Sequence, residues 1–261
     1  MKILDNPSCY ENFSWENSNL GEKLQGKIRK IIEIIPEEVQ TIIDIGCGNG
    51  VITNELGKKY DVTGVDRSVN ALKYVKTKTI LSSSDKIDIP DQSFDMVFSS
   101  ELLEHLDDES FQNTILEMKR INRKFIFITV PNNETLEKDF IKCPNCGWIY
   151  NRSYHLRSFS LEKLAGFFPE YKIINHFEYG SGKRGYNHYL SILKHTLCPP
   201  SAWIPPKWTQ KAEWESFCPK CETPFVYRYK FNIFGRLCDW TNIFLNRHKP
   251  YWLFVLLIKE F

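Results

Sequence analysis

Four groups of side chains in this 261-residue chain have the types and spacing to do chemistry. The first is Asp44-Ile45-Gly46-Cys47-Gly48-Asn49-Gly50, where the apolar run Thr41-Ile42-Ile43 leads straight into three spaced glycines. Glycine lets a backbone turn sharply and approach a ligand where a Cβ would collide, so the segment predicts a nucleotide-like binding turn. The second is a pair of later carboxylates, Asp66 in Gly64-Val65-Asp66 and Asp85 in Asp85-Lys86-Ile87-Asp88. An acid at the end of the next strand can accept hydrogen bonds from both hydroxyls of a ribose. The third is Glu101-Leu102-Leu103-Glu104-His105. If that turn is helical, i,i+3 and i,i+4 spacing puts Glu101, Glu104 and His105 on one face. Two carboxylates and an imidazole there suit a divalent cation, magnesium being one candidate, and His155 stands where it would complete the set. Alternatively, neutral His105 or His155 is a general base for a substrate hydroxyl. The fourth is the matched C-P-x-C pair, Cys143-Pro144-Asn145-Cys146 and Cys218-Pro219-Lys220-Cys221, whose four thiolates suit a closed tetrahedral zinc site of structural type.

The elements that must position these groups alternate. Apolar runs predict strands at Thr41–Ile45, Asp61–Asp66, Phe94–Ser100, Phe125–Val130, Lys172–Phe177 and Trp252–Ile258, with a weaker one near Thr79–Ser83. Helical spacing is found at Glu22–Ile35, stopped by Pro36, and at Val51–Lys59, Val69–Lys76, Ser110–Asn122 and Leu161–Phe168. That alternation implies an α/β fold, a doubly wound and mostly parallel sheet with helices on both faces. The expected organisation is an N-terminal helical cap over residues 1–36 and one domain over 37–261. Insertions at 133–157 and 181–250 interrupt that domain; the second is rich in proline, tryptophan and cysteine and shows no clear period.

Composition narrows the class of function. Apolar and charged fractions of 42% and 25% are those of an ordinary globular protein, and a net charge of +2 argues against a dominant polyanion-binding surface. The first residues carry no apolar run after Lys2, and the longest apolar run, Tyr251–Ile258, is far short of the roughly 20 residues of a membrane helix. A cytoplasmic location without a membrane span is the expectation. In a reducing compartment, eight cysteines are read first as metal ligands where they pair.

Position 51 is Val51, so the nicotinamide pattern G-x-G-x-x-G is not completed, and the phosphate-gripping G-x-x-x-x-G-K-[ST] is absent. With Asp44, Asp66, Asp85 and Phe94-Asp95 in register, the segment from Thr41 to Val130 resembles the class I S-adenosylmethionine-dependent methyltransferase family. The resemblance implies a seven-stranded Rossmann-like sheet. Gly46, Cys47, Gly48 and Gly50 would then run along the methionine part of the cofactor, and Asp44 would order the loop or meet the amino end. Asp66, beside Arg67, would hold the ribose, Asp85, beside Lys86, the adenine amino group, and Glu101 would lie near the cofactor. Glu101-x-x-Glu104-His105 is similar to a metal-binding segment of the ubiquinone-type and small-RNA 2′-O-methyltransferases, although many class I enzymes carry Glu-His-Leu here without a metal.

The two cysteine pairs lie farther apart than the ~15–20 residues usual in zinc ribbons. The expected topology answers this, because both loops leave the ligand-binding edge of the sheet and can meet above it as a zinc-ribbon-like lobe. Unlinked surface cysteines, redox pairs and half-sites shared between subunits are the alternatives. Trp203, Trp208, Trp214 and Trp240 can stack on a sugar or base, or simply make the core of a small lobe. Lys183 and Arg184, in a glycine-rich stretch, are placed to meet a phosphate. Cys143-Pro144-Asn145-Cys146-Gly147 followed by His155-x-x-x-Phe159-Ser160 is loosely similar to methyltransferases of bacterial glycan biosynthesis. The expected activity is therefore methylation, on oxygen rather than nitrogen, of a small-molecule or glycan-type acceptor such as a sugar nucleotide. An RNA ribose or tRNA methyltransferase is one rival, with nucleic acid the less expected partner. A non-catalytic cofactor-binding module that regulates a partner is another.

Overall fold

A computed structural model describes residues 6–11, 15, 21–205 and 213–260; Phe13 and Trp208, and the remainder of the 1–36 cap, lie outside them. The chain begins with a short helix α1 (Ser8–Glu11) and a longer one, α2 (Glu22–Ile34). Then come β1 (Thr41–Ile45), α3 (Val51–Leu56), β2 (Asp61–Asp66), α4 (Val69–Leu72), β3 (Lys78–Leu81), β4 (Phe94–Ser100), α5 (Asp108–Ile121) and β5 (Asn122–Pro131). Two short strands, β6 (Phe140–Lys142) and β7 (Ile149–Asn151), form a hairpin, followed by α6 (Leu161–Ala165) and the long β8 (Tyr171–Arg184). After α7 (His188–Leu197) come a second hairpin, β9 (Glu213–Phe217) with β10 (Pro224–Arg228), then α8 (Ile233–Leu245) and β11 (His248–Lys259).

Seven strands make one sheet in the order β3-β2-β1-β4-β5-β11-β8. The first five run parallel, and β11 is antiparallel to both β5 and β8. The order reverses at β1/β4, which opens a crevice at their carboxyl ends, where doubly wound sheets bind ligands. β1 is apolar on both sides because both faces of the sheet are covered. Ile43, Ile45 and Val97 face a core shared with Phe111, Ile115 and Phe159. Ile42, Met96 and Phe98 face the opposite one with Ile31, Leu56 and Phe254. α5 starts where Asp107 accepts the Ser110 amide at 2.8 Å, and Asp108 and Glu109 in its first turn oppose Lys119 and Arg120 in its last, as the helix dipole favours.

Three expected strands, Thr41–Ile45, Asp61–Asp66 and Phe94–Ser100, have the observed bounds. Expected helices run short: α3 stops at Gly57 instead of Lys59, α4 has four residues, and α6 ends before Gly166. Residues 181–250, which show no clear period in sequence, carry the end of β8, helices α7 and α8, and the β9–β10 hairpin. α7 and α8 lie antiparallel: Asn187 at the start of α7 donates its amide to Asn242 near the end of α8, and Cys198 after α7 meets Asn232 before α8. A third, smaller core joins the hairpins around Ile141, Tyr150, Trp203, Ile204 and Tyr227. No helix among the described residues is long and apolar enough to cross a membrane.

Candidate active site and cysteine cluster

β1 ends in the glycine turn, and the turn is held from β2. The amides of Gly46 and Cys47 both reach the Val65 carbonyl, at 2.8 and 3.0 Å. Asp66 accepts the Gly48 amide at 2.8 Å with one carboxylate oxygen and the Ser68 amide at 2.8 Å with the other. Gly48 adopts a left-handed φ of 53°, and a Cβ on it would stand 3.3 Å from the Trp15 ring. Gly50, at φ 74°, caps α3, and its Cβ would lie 3.0 Å from the Val75 Cα. Glycine is required at the first of these to leave room above the turn and at the second by backbone contact.

A cavity of ≈ 460 Å³ opens on this turn. Gly46, Cys47, Gly48, Asp66 and Arg67 form one wall, Ser82, Ser83 and Ser84 another, and Glu101, His105, Tyr154 and His155 face them. Tyr10 and Trp15 line it as well, with the Arg67 guanidinium 4.8 Å from the Tyr10 ring. Asp85 and Lys86 are not in its lining; the serines just before them are. Asp44 and Asn49 line a neighbouring recess of ≈ 350 Å³ with Lys27, Glu101 and Trp252, while Gly50 lines neither. Asp44 is 2% exposed and accepts the Thr53 hydroxyl at 2.6 Å. Burial raises its carboxyl to about 7, against the Thr53 hydrogen bond, with the nearby Asp66 charge adding to the rise.

Sequence reasoning missed Lys27. It sits on α2, 2% exposed, and reaches Ser100 Oγ at 3.0 Å and Glu101 at 3.2 Å. Its neighbour Gly26 explains the approach, since a Cβ there would meet the Tyr179 hydroxyl at 2.3 Å. The Trp252 indole donates to the other Glu101 oxygen at 3.2 Å, and the Lys27 ammonium stands 4.7 Å over the same ring. The amphipathic pattern of α2 signals only its core face; a lysine on that face was the available clue.

Residues 101–106 form a turn without a helix, and this separates the expected triplet. Glu101 takes a left-handed φ of 56°, a conformation rare outside glycine and characteristic of functional sites. It bonds Lys27 and Trp252 and does not join the group that Glu104 and His105 make with His155. Glu104 is fully buried, and neither carboxylate oxygen has a hydrogen-bond partner; burial, reinforced by Glu101, raises its carboxyl well above the usual range. His105 and His155 meet edge to face with ring centroids 4.8 Å apart. Burial, then the neighbouring His155, lowers His105 to about 3, so it is neutral at physiological pH. Glu104, His105 and His155 bring ligand atoms within 4.8 Å of one another. One carboxylate and two imidazoles do not fit magnesium, which takes oxygen ligands in near-octahedral array.

Glu134 was also missed. It hydrogen-bonds His155 Nδ1, and both residues are nearly buried. Although burial opposes it, the His155 hydrogen bond holds the Glu134 carboxyl below its usual range. A carboxylate on Nδ1 fixes that nitrogen as the donor and leaves Nε2 as the acceptor.

The four knuckle cysteines converge. Cys143 and Cys146 lie between β6 and β7, Cys218 and Cys221 between β9 and β10. Cys143 and Cys221 Sγ atoms are 3.7 Å apart, Cys146 and Cys218 3.6 Å, and all four lie within 4.8 Å. The Thr223 hydroxyl, with Asn145, lowers Cys221 to about 6, while burial pushes Cys218 up to about 12. Asn6 ties α1 to this cluster through the Pro219 carbonyl at 2.9 Å and Glu222 at 2.8 Å. Trp203, 5% exposed, and Trp214, stacked on Tyr227 at 4.1 Å, belong to the lobe's own core, whereas Trp240 is 50% exposed on α8. Lys183 and Arg184 lie in β8: Lys183 covers the Tyr251 ring, and Arg184 donates to the Ile243 and Asn246 carbonyls at the end of α8. Asp95, part of the motif that carried the resemblance, is structural, accepting the Gln40 and Thr41 amides at 3.1 and 2.9 Å and pairing with Arg123.

Comparison with known proteins agrees with this geometry. The Methyltransferase domain family model matches residues 43–125, from β1 to the start of β5. A ubiquinone biosynthesis O-methyltransferase of Hydrogenovibrio crunogenus is 32% identical over 124 residues, 40% of this chain and 50% of that protein. Phosphoethanolamine N-methyltransferase 1 of Arabidopsis thaliana is 28% identical over 40% of this chain and 22% of its own length. The chain thus spans half or less of these curated relatives. Among solved structures, a SAM-dependent methyltransferase from Archaeoglobus fulgidus superposes with TM-score 0.56 at 16% identity, covering 90% of this chain and 93% of that one. The YcgJ protein of Bacillus subtilis gives 0.52 at 11% identity, over 91% and 99%. Residues 43–125 are a methyltransferase domain, and the chain built around them has the fold of the class I S-adenosylmethionine-dependent methyltransferases.

Proposed function

We propose that the chain methylates an oxygen of a small-molecule or glycan-type acceptor, with His155 as the general base. The observation that carries this is that His155 lines the same cavity as the glycine turn and Asp66, while Glu134 bonds its Nδ1 from behind. S-adenosylmethionine, bound there, supplies a methyl group made electrophilic by its sulfonium. The remaining lone pairs of Asp66 would accept the ribose hydroxyls, and Ser82–Ser84 would border the base. Asp44 and Lys27, on the adjoining recess, would hold the amino and carboxylate ends of the methionine part. The acceptor lies between these groups and His155, whose Nε2 takes the hydroxyl proton while Glu134 stabilises the resulting imidazolium. His105, neutral and largely buried beside it, limits access of bulk water to that proton.

The cysteine cluster fits zinc. A tetrahedral ion with Zn–S bonds of ~2.3 Å places sulfurs ~3.8 Å apart, close to the two distances found. Four protein thiolates fill the shell, so the role is structural.

His155→Ala tests the catalytic reading. Turnover should fall about a hundredfold or more while cofactor affinity is unchanged. Near-normal turnover against sugar-nucleotide and phenolic acceptors would remove His155 from the mechanism.

A further inference from the structure

The α7–α8 pair is built inside out. Its interior is polar: Ser191, Lys194, Asp239 and Asn242 are each no more than 2% exposed, and Lys194 donates to Asp239 at 2.6 Å with the Tyr186 hydroxyl at 3.0 Å on the same oxygen. The apolar side chains point outward. Ile192 and Leu197 on α7, and Leu237, Trp240 and Phe244 on α8, are half to nine-tenths exposed, with Phe244 at 88%. A water-facing helix pair has the reverse arrangement, and an exposed apolar face of this extent on one feature marks an interaction surface.

The charge around the pair identifies what covers it. Lys183 and Arg184 lie at the end of β8, with Arg184 on the last carbonyls of α8, and the acid next to α7 is Glu137, 3.8 Å from His188. Between Glu222 and Glu260 the only acid is Asp239, buried against Lys194. Exposed Lys230 precedes α8, and exposed Arg247 and Lys249 follow it. An apolar face flanked at both ends of α8 by exposed basic residues complements an anionic lipid surface, whose acyl region takes the apolar side chains and whose headgroups take the bases. A second copy of the chain fits worse, because a two-fold contact would bring the basic rim against itself. At 10 and 13 residues, or about 15 and 20 Å, the helices are too short to span the ~30 Å hydrocarbon core.

We propose that α7 and α8 seat the protein on one leaflet of an anionic bilayer. The buried Lys194–Asp239–Tyr186 cluster locks the two helices together, so that they enter the interface as a preformed unit. A cleft of ≈ 460 Å³ runs from the end of α8, at Leu245 and Asn246, past Lys183 and Lys138 to Glu134, the carboxylate bonded to His155. Docking therefore brings the leaflet next to the acceptor side of the site.

Flotation of the full chain with vesicles of equimolar phosphatidylglycerol and phosphatidylcholine tests this. The chain should float with these vesicles, and about tenfold less with phosphatidylcholine alone or in molar salt. Trp240→Asp and Phe244→Asp should each lower partitioning about tenfold or more while leaving cofactor binding intact, since neither residue lines the cofactor cavity. Absence of flotation, or flotation indifferent to both substitutions, overturns the proposal. So does a solution dimer that Phe244→Asp converts to monomer, because the face would then belong to a second copy.

Discussion

Asp44 offers a prediction in which function opposes stability. Its carboxyl rises from 3.8 to about 7 chiefly through burial. Between those two values the folded chain holds a proton that the unfolded chain has released, so stability falls as pH rises through this window. At 1.36 kcal/mol per pK unit, the loss is roughly 4 kcal/mol once pH exceeds 7. An asparagine has no such proton and retains an oxygen for Thr53. Urea unfolding of wild type and Asp44→Asn, followed by circular dichroism without cofactor, should give a stability difference that is smallest near pH 4. That difference should then shift in favour of the variant by up to about 4 kcal/mol by pH 8. The same variant should bind S-adenosylmethionine about tenfold more weakly at pH 8, because the charge facing the ammonium is gone. A difference that stays flat from pH 4 to 8 would refute the assignment of a raised carboxyl. Unaltered cofactor affinity would refute its role at the amino end.

Other outcomes follow from the same geometry. Elemental analysis of purified protein should find about one zinc per chain, bound at the cysteines; a second equivalent would place a metal at Glu104, His105 and His155. Lys27→Met should preserve the fold and weaken cofactor binding about tenfold or more, as loss of a charge-assisted hydrogen bond would; calorimetry showing unaltered affinity counts against Lys27 as a carboxylate ligand. Gly50→Ala should cost about 2 kcal/mol or more in unfolding free energy, from the left-handed φ together with contact on the Val75 backbone. Glu134→Gln should reduce turnover about a hundredfold with little effect on KM, and the acid limb of its pH profile should move; an unchanged profile excludes Glu134 as the partner of His155.

The cofactor half of the site was legible because its residues obey local rules: glycines at a strand end, and an acid at the end of the next strand. The acceptor half was not. Glu134 and Lys27 act through partners 21 and 74 residues away, and no local spacing records such contacts. Glu101, Glu104 and His105 illustrate the same limit, since their helical spacing is real in sequence but the backbone turns left-handed at Glu101 and sends its side chain elsewhere. The cysteine pairs were legible despite their separation, because each knuckle is itself a local motif. α7 and α8 escaped detection for a physical reason. Periodicity is read on the assumption that apolar residues face inward, and in these helices the interior is Ser191, Lys194, Asp239 and Asn242.

The cysteine cluster also has a consequence for the cooperativity of unfolding. A cross-link from Cys146 to Cys218 spans 72 positions, and the loop it closes contains α6, β8 and α7. β8 is the edge strand of the seven-stranded sheet, so the staple encloses part of the sheet as well as its own lobe. By the chain-entropy argument, closing a loop of that length lowers the entropy of the unfolded chain by the equivalent of about 4 kcal/mol. Loading the cluster ties β8, and through its pairing with β11 the edge of the sheet, to the two hairpins of the lobe. The lobe and the outer half of the sheet should therefore melt as one cooperative unit when the cluster is loaded, and as two when it is not.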